Sequence, residues 1–126
     1  MEGGGLIRAF LWTAAGGRMD LGTFSDLDIA SAEAFDINEW GTVVGSAQTT
    51  TLQSHAFIWR RSHGMKDLNS MLDPTSSLAP YVVIQVAKAI NELGWIAAQG
   101  NDLRQLGGSH SFVLVPRWRA GTPRCD

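Results

Sequence analysis

Cysteine, charge and long apolar runs are all scarce in this chain of 126 residues. Its single cysteine excludes an internal disulfide, a zinc ribbon and a redox-active pair. No apolar run reaches the ~18 residues of a membrane-spanning helix, and the first ten residues lack the pattern of a signal peptide. The net charge of −2 leaves no basic footprint for nucleic acid or an anionic membrane. We therefore expect no nucleic-acid or membrane partner, and a cytoplasmic location for the chain as it stands.

The composition is that of a folded domain. Hydrophobic residues make up 44% of the chain and charged residues 17%, which is too apolar for a disordered polypeptide. The length fits one domain, and we expect it to span residues 1–116, with 117–126 as a disordered C-terminal tail.

The main signal is an internal repeat. Residues 9–12 (Ala-Phe-Leu-Trp) recur as residues 56–59 (Ala-Phe-Ile-Trp), and the match continues in register through 23 and 70. A second block, 34–41 (Ala-Phe-Asp-Ile-Asn-Glu-Trp-Gly), recurs as 87–94 (Ala-Lys-Ala-Ile-Asn-Glu-Leu-Gly). Residues 111–114 (Ser-Phe-Val-Leu) form a third, diverged copy of the first block. Two blocks repeating in the same order define units of about 6–31, 32–81 and 82–116.

Each unit predicts β structure. The Asn-Glu-x-Gly segments favour hairpin turns, because Asn bonds to nearby backbone and Gly adopts the left-handed conformation of a bulged turn. The apolar runs at 9–12 and 56–59 favour strands covered on both faces. We predict nine strands, at about 6–12, 18–21, 32–38, 42–47, 55–60, 65–69, 82–90, 95–99 and 110–115.

Four short strands in a unit of about 47 residues is the pattern of a β-propeller blade. The predicted fold class is therefore all-β, a propeller-like repeat of four-stranded antiparallel units, with about two and a quarter blades per chain. A closed propeller needs roughly four blades or more.

The repeated pattern resembles the HAF repeat family, whose name-giving motif stands here as His55-Ala56-Phe57. The resemblance covers nearly all of residues 8–116, including Asp67-Leu68-Asn69 and the 110–116 segment. It implies propeller-like repeats in a bacterial protein, often found outside the cell. The family brings no set of catalytic residues with it.

The residues singled out by the repeat have structural roles in this interpretation. They are Phe10, Trp12, Asp20, Asn38, Gly41, Phe57, Trp59, Asp67, Asn91, Gly94 and Phe112. Asp20 and Asp67 are expected to accept backbone N–H bonds at turns, and Trp12 and Trp59 to occupy equivalent core positions. His55 and His110 precede equivalent strands but do not make a metal site by themselves. We expect no catalytic, cofactor-binding or metal residues and no cofactor.

The strand count leads to a functional hypothesis. Nine strands cannot close a ring, so end units with apolar faces should associate with another copy, and a dimer is the commonest case. We predict a non-enzymatic module that self-associates and binds a ligand or partner that the sequence does not identify. Two alternatives are a hydrolase on a propeller scaffold without a recognisable catalytic set, and a truncated piece of a longer HAF-repeat propeller.

Overall fold

The computed structural model describes residues 7–25, 30–73, 75, 81–104 and 109–116. These residues form an all-β protein of three antiparallel sheets. The strands are β1 (Phe10–Thr13), β2 (Gly17–Asp20), β3 (Ala32–Ile37), β4 (Val43–Gln48), β5 (Ser54–Arg60), β6 (Gly64–Asp67), β7 (Val82–Ile90), β8 (Ile96–Asp102) and β9 (His110–Leu114). Within the described ranges, no helix has the length and apolar character needed to cross a bilayer.

Each of the three sheets pairs strands that are neighbours in sequence. The first sheet has the order β1-β2, the second β3-β4-β5-β6 and the third β7-β8-β9. The sequence repeat is also a repeat of strand register. Phe10 pairs with Asp20 in the first sheet, and Phe57 pairs with Asp67 in the second. Residues at equivalent positions in the two units therefore have equivalent strand partners.

Most strands lie close to the predicted ranges, but β1 begins at Phe10 rather than near residue 6, and β8 runs to Asp102 rather than to residue 99. One predicted strand also changes type. The sequence predicts a sixth strand that runs to residue 69, but this strand ends at Asp67 and a 3-10 turn spans Leu68–Met71. The Asp67 carboxylate accepts a bond from the Asn69 backbone N–H at the start of that turn, which ends the strand there. The expected C-terminal tail, 117–126, lies outside the described residues.

The hydrophobic core consists of two clusters, one at each junction between sheets. The first cluster joins the first and second sheets and includes Ala9, Leu21, Val43, Phe57 and Trp59. The second joins the second and third sheets and is built by Val44, Ala56, Ile58, Ile84 and Ile90, among others. Alternate residues of β5 point to opposite clusters, so the middle sheet is apolar on both faces. It is the strand pattern expected for a sheet enclosed between two layers.

A β-bulge occurs at the same place in two units. The pairing of β3 with β4 shifts between Ala34 and Asp36, and the pairing of β7 with β8 shifts between Ala87 and Ala89. The two bulged residues, Phe35 and Lys88, are in contact, with the Lys88 ammonium 5.3 Å from the centre of the Phe35 ring. The bulges thus add a cation–π contact between neighbouring sheets.

The hairpin turns at 38–41 and 91–94 have the predicted conformation. Gly41 has φ of 82° and Gly94 has φ of 85°, so both lie in the left-handed region. In each turn the glycine N–H donates to the carbonyl of the asparagine three residues earlier, at 3.0 Å and 3.1 Å. These residues confirm the sequence-based interpretation of the two Asn-Glu-x-Gly segments as equivalent turns.

The left-handed conformation at Gly41 gives a direct test of the turn. We expect Gly41→Ala to lower the free energy of unfolding by about 1–2 kcal/mol, because a Cβ atom is strained at this φ. Gly41→Asn is the matched control and should cost less, since Asn tolerates the left-handed region. Urea unfolding of both variants is the measurement, and equal losses for Ala and Asn would contradict the assignment.

Candidate functional site

The first sheet exposes an aromatic surface on the side away from the second sheet. Phe10, Trp12 and Arg18 lie on this side, which we call the leading face. Trp12 is 70% exposed, and Phe10 is 44% exposed. The Arg18 guanidinium lies 4.6 Å from the centre of the Phe10 ring and covers part of it. Exposed aromatic surface of this kind is typical of an interface.

The exposure of the leading face shows that one prediction from the repeat is wrong. The sequence predicts equivalent environments for Trp12 and Trp59, but Trp59 is only 5% exposed and Phe57 is fully buried. The strand register is equivalent in the two units, and the difference lies in what covers each sheet. The first sheet packs over Phe57 and Trp59, whereas no described element covers Phe10 and Trp12.

The third sheet exposes small side chains on the side away from the second sheet. Ala89, Ala97 and Val113 form a row across its three strands, and we call this row the trailing face. All three are exposed, Val113 at 65%. The equivalent row of the middle sheet is Asp36, Val44 and Ile58. In that row Val44 and Ile58 are buried beneath the third sheet.

Polar contacts connect the two hairpin turns. The Asn38 side-chain carbonyl accepts bonds from the Trp40 and Thr42 N–H groups at 3.0 and 3.1 Å, and its amide donates to the Asn91 carbonyl at 3.1 Å. From the same turn, the Glu39 N–H donates to the Glu92 carboxylate at 2.8 Å. Donors of the second unit thus meet acceptors of the third. We call this set of bonds the turn interlock.

Two further side chains bind the second sheet to the third. The Asp36 carboxylate accepts a bond from the Ile90 N–H at 2.8 Å. The Asn69 side chain accepts from the Ile84 N–H at 2.7 Å and donates to the Ile84 carbonyl at 2.9 Å. Both residues hold backbone groups of β7 in place, so they position the third sheet on the second.

Asp20 and Asp67 end equivalent strands and accept backbone N–H bonds. Asp20 accepts from the Gly22 N–H at 2.8 Å, and Asp67 accepts from the Asn69 N–H at 2.9 Å. Each also contacts a basic side chain from the preceding strand or its approach. The Arg8 guanidinium lies 3.0 Å from Asp20, and His55 Nδ1 lies 2.7 Å from Asp67. Both carboxylates therefore accept backbone N–H bonds at turns, as the sequence predicts.

The described residues contain no group of three or more His, Cys, Asp and Glu side chains that could hold a metal ion. The strongest electrostatic perturbation among them is at the end of β8. There the Arg104 side chain and backbone donate to Asp102 and lower the pKa of this carboxyl to about 2. A carboxylate held in its charged form is unsuited to donate a proton at neutral pH.

A polar groove of about 360 Å³ opens between the second and third sheets. Among the described residues, its lining contains one charged side chain, Glu33, and one apolar side chain, Val86. The described lining is Glu33, Ser46, Ser54, Gln85, Val86, Gln99 and Ser109. The Glu33 carboxylate makes the groove unfavourable for phosphate and other anions.

No family model matches the chain, and no curated protein or solved structure is found to be similar to it. The resemblance to HAF repeats therefore stays a prediction.

The structure brings together some of the predicted residues and separates others. Phe57, Trp59 and Asn38 lie at sheet junctions, and Phe112 is half-buried against the second core cluster. Asn91 and Gly94 lie in the exposed or half-exposed turn of the third unit. Sequence reasoning missed Asp36, Asn69 and Glu92, which bind the sheets to each other. Glu92 recurs in the repeated Asn-Glu-x-Gly turn, and this recurrence is the sequence feature that could have identified it as a residue with a role in the repeat.

The turn interlock predicts that two equivalent asparagines respond differently to the same change. Asn38→Asp keeps both acceptor bonds within its turn but loses the bond to the Asn91 carbonyl and places a carboxylate oxygen against it. We expect a loss of about 1–3 kcal/mol in the free energy of unfolding.

Asn91→Asp is the matched control. Asn91 is exposed, and its side-chain carbonyl accepts bonds from the Leu93 and Trp95 N–H groups, which Asp can also do. We expect a change within about 0.5 kcal/mol, as at other exposed positions. Chemical denaturation of the two variants side by side is the measurement. Equal destabilisation would show that the contact between the turns has no energetic role.

Proposed function

We propose that the chain is a non-enzymatic β-repeat module that assembles with further copies of itself by extending its stack of sheets. One observation carries the proposal. The leading face exposes Phe10 and Trp12, while the residues at equivalent register positions, Phe57 and Trp59, are buried by a neighbouring sheet. An exposed sheet face whose equivalent is covered by a neighbouring sheet favours a partner that supplies a sheet of the same kind.

In this proposal the sheets are blades of a propeller-like assembly, in agreement with the resemblance to HAF repeats. The middle sheet has the four strands of one blade, and the first and third sheets have two and three. Two copies would supply six sheets, which is enough for a closed ring. A two-fold dimer is the arrangement that we favour, because it is the commonest symmetry of soluble homo-oligomers.

The leading face provides the test of self-association. We expect the wild-type chain to sediment as an oligomer at micromolar concentration. Phe10→Ser combined with Trp12→Ser should weaken association at least about 30-fold, because the loss of even one buried interface aromatic costs about 2 kcal/mol.

Leu52→Ser is the control, because Leu52 is 39% exposed in the turn between β4 and β5 of the middle sheet, whose two faces are both covered within the chain. It should sediment like the wild-type chain. A wild-type chain that stays monomeric over the whole concentration range would overturn the proposal. So would an oligomer that the double variant leaves unchanged.

Ligand binding is the second part of the proposal, and the polar groove is its location. Hydroxyl and amide side chains with one carboxylate suit a neutral or amino-substituted saccharide better than a sugar phosphate. At about ten times its dissociation constant, such a ligand adds about 1.4 kcal/mol of stability, which raises the melting temperature by several degrees.

We expect saccharides and amino sugars, but not sugar phosphates, to raise the melting temperature in a thermal-shift experiment. Glu33→Gln should reduce the discrimination against sugar phosphates, because it removes the carboxylate that lines the groove. If no saccharide shifts the melting temperature, or if phosphates bind equally well to the wild-type chain, this part of the proposal is wrong.

A further inference from the structure

We infer that self-association is head to tail: the leading face of one copy packs on the trailing face of another copy. This inference rests on the proposed self-association and specifies which two surfaces meet. It differs from the simpler arrangement in which two leading faces pack on each other. The inference is drawn from the two junctions between sheets that already exist within the chain.

Both internal junctions have the same direction. At the first, Phe57 and Trp59 of β5 face the preceding sheet, where the core cluster includes Leu11. At the second, Phe112 and Leu114 of β9 likewise pack towards the preceding sheet, in the cluster that contains Ile58. In each case the Phe of the repeat and the residue two positions later face the preceding unit. The residue between them faces the following unit where one exists.

The two open faces are the two halves of one more junction of this kind. Phe10 and Trp12 occupy the positions of Phe57 and Trp59 and have no preceding sheet among the described residues. Val113 occupies the position of Ile58 and is exposed instead of buried. A second copy that packs on the leading face in the same orientation would present its Val113 to these aromatics.

The sizes of the side chains on the two faces favour this pairing. Ala89 and Ala97 beside Val113 leave a shallow row of small side chains, against which two large rings can pack closely. Packing two leading faces together would instead place large rings against large rings, with no row of small side chains to receive them.

A head-to-tail interface has a consequence that a face-to-face interface lacks. Each copy carries one donor face and one acceptor face, so two copies with one blocked face each can still form a single interface. We therefore propose to block the leading face with Trp12→Asp and the trailing face with Val113→Asp. Both side chains are exposed in the isolated chain, and circular dichroism of each variant verifies that the fold is retained.

Sedimentation velocity of each variant alone and of an equimolar mixture is the experiment. Each variant alone should lose at least about 10-fold in affinity compared with the wild-type chain, because each has one charged face. The mixture should form a species with the mass of two chains that grows no further, since its two outer faces are blocked. Leu52→Asp, which changes an exposed turn residue of the middle sheet, away from both open faces, should behave as the wild-type chain.

The alternative outcomes separate this inference from the proposed function. If Trp12→Asp is monomeric while Val113→Asp associates normally, self-association stands but the head-to-tail pairing is wrong. If both variants are monomeric and their mixture stays monomeric, the pairing is also wrong. A wild-type chain that never associates overturns self-association itself. Should either Asp variant fail to fold, Trp12→Gln with Val113→Gln repeats the experiment without a buried charge.

Discussion

The structure depends on covering both faces of the middle sheet. Alternate residues of one strand, β5, bury Phe57 and Trp59 on one side and Ala56 and Ile58 on the other. A sheet of this composition is stable only between two layers, because either face alone would expose a continuous apolar surface. The first and third sheets supply those layers. Each of them then has one covered face and one open face. The need to cover an apolar sheet face, which the middle sheet meets within the chain, therefore arises again at the two end sheets.

Apolar packing alone does not determine how the sheets are aligned. The polar contacts between the second and third units do so, because hydrogen bonds require particular atoms at particular distances. Asn38 and Glu39 bind the next turn, and Asp36 and Asn69 bind the backbone of β7. These bonds lie along the junction, from the turn at one end to the 3-10 segment near the other. The hydrophobic contacts supply most of the stabilisation, and the polar contacts specify one register.

The features that sequence analysis predicted well are local. Short-range patterns in the sequence indicate the repeat register, the all-β class, the approximate positions of nine strands and the left-handed glycines. The Asn-Glu-x-Gly turns are the clearest example. The environment of Trp12 could not be predicted in this way. Its local sequence matches that of Trp59, but exposure depends on whether another sheet is present. The role of Asn69 was equally hidden, since its partner Ile84 lies in a different unit.

The pairing of neighbouring strands within each sheet has a kinetic consequence. Every hairpin closes a short loop, so the sheets can form through local contacts with a small entropic cost. The contacts between sheets join residues far apart in sequence, such as Asn38 and Asn91, and must form afterwards. We expect the transition state for folding to contain hairpins of the middle sheet before the third sheet docks. Interactions made only at the junction would then act mainly on the unfolding rate, and the lifetime of the native state would depend on the junctions more than on the sheets themselves.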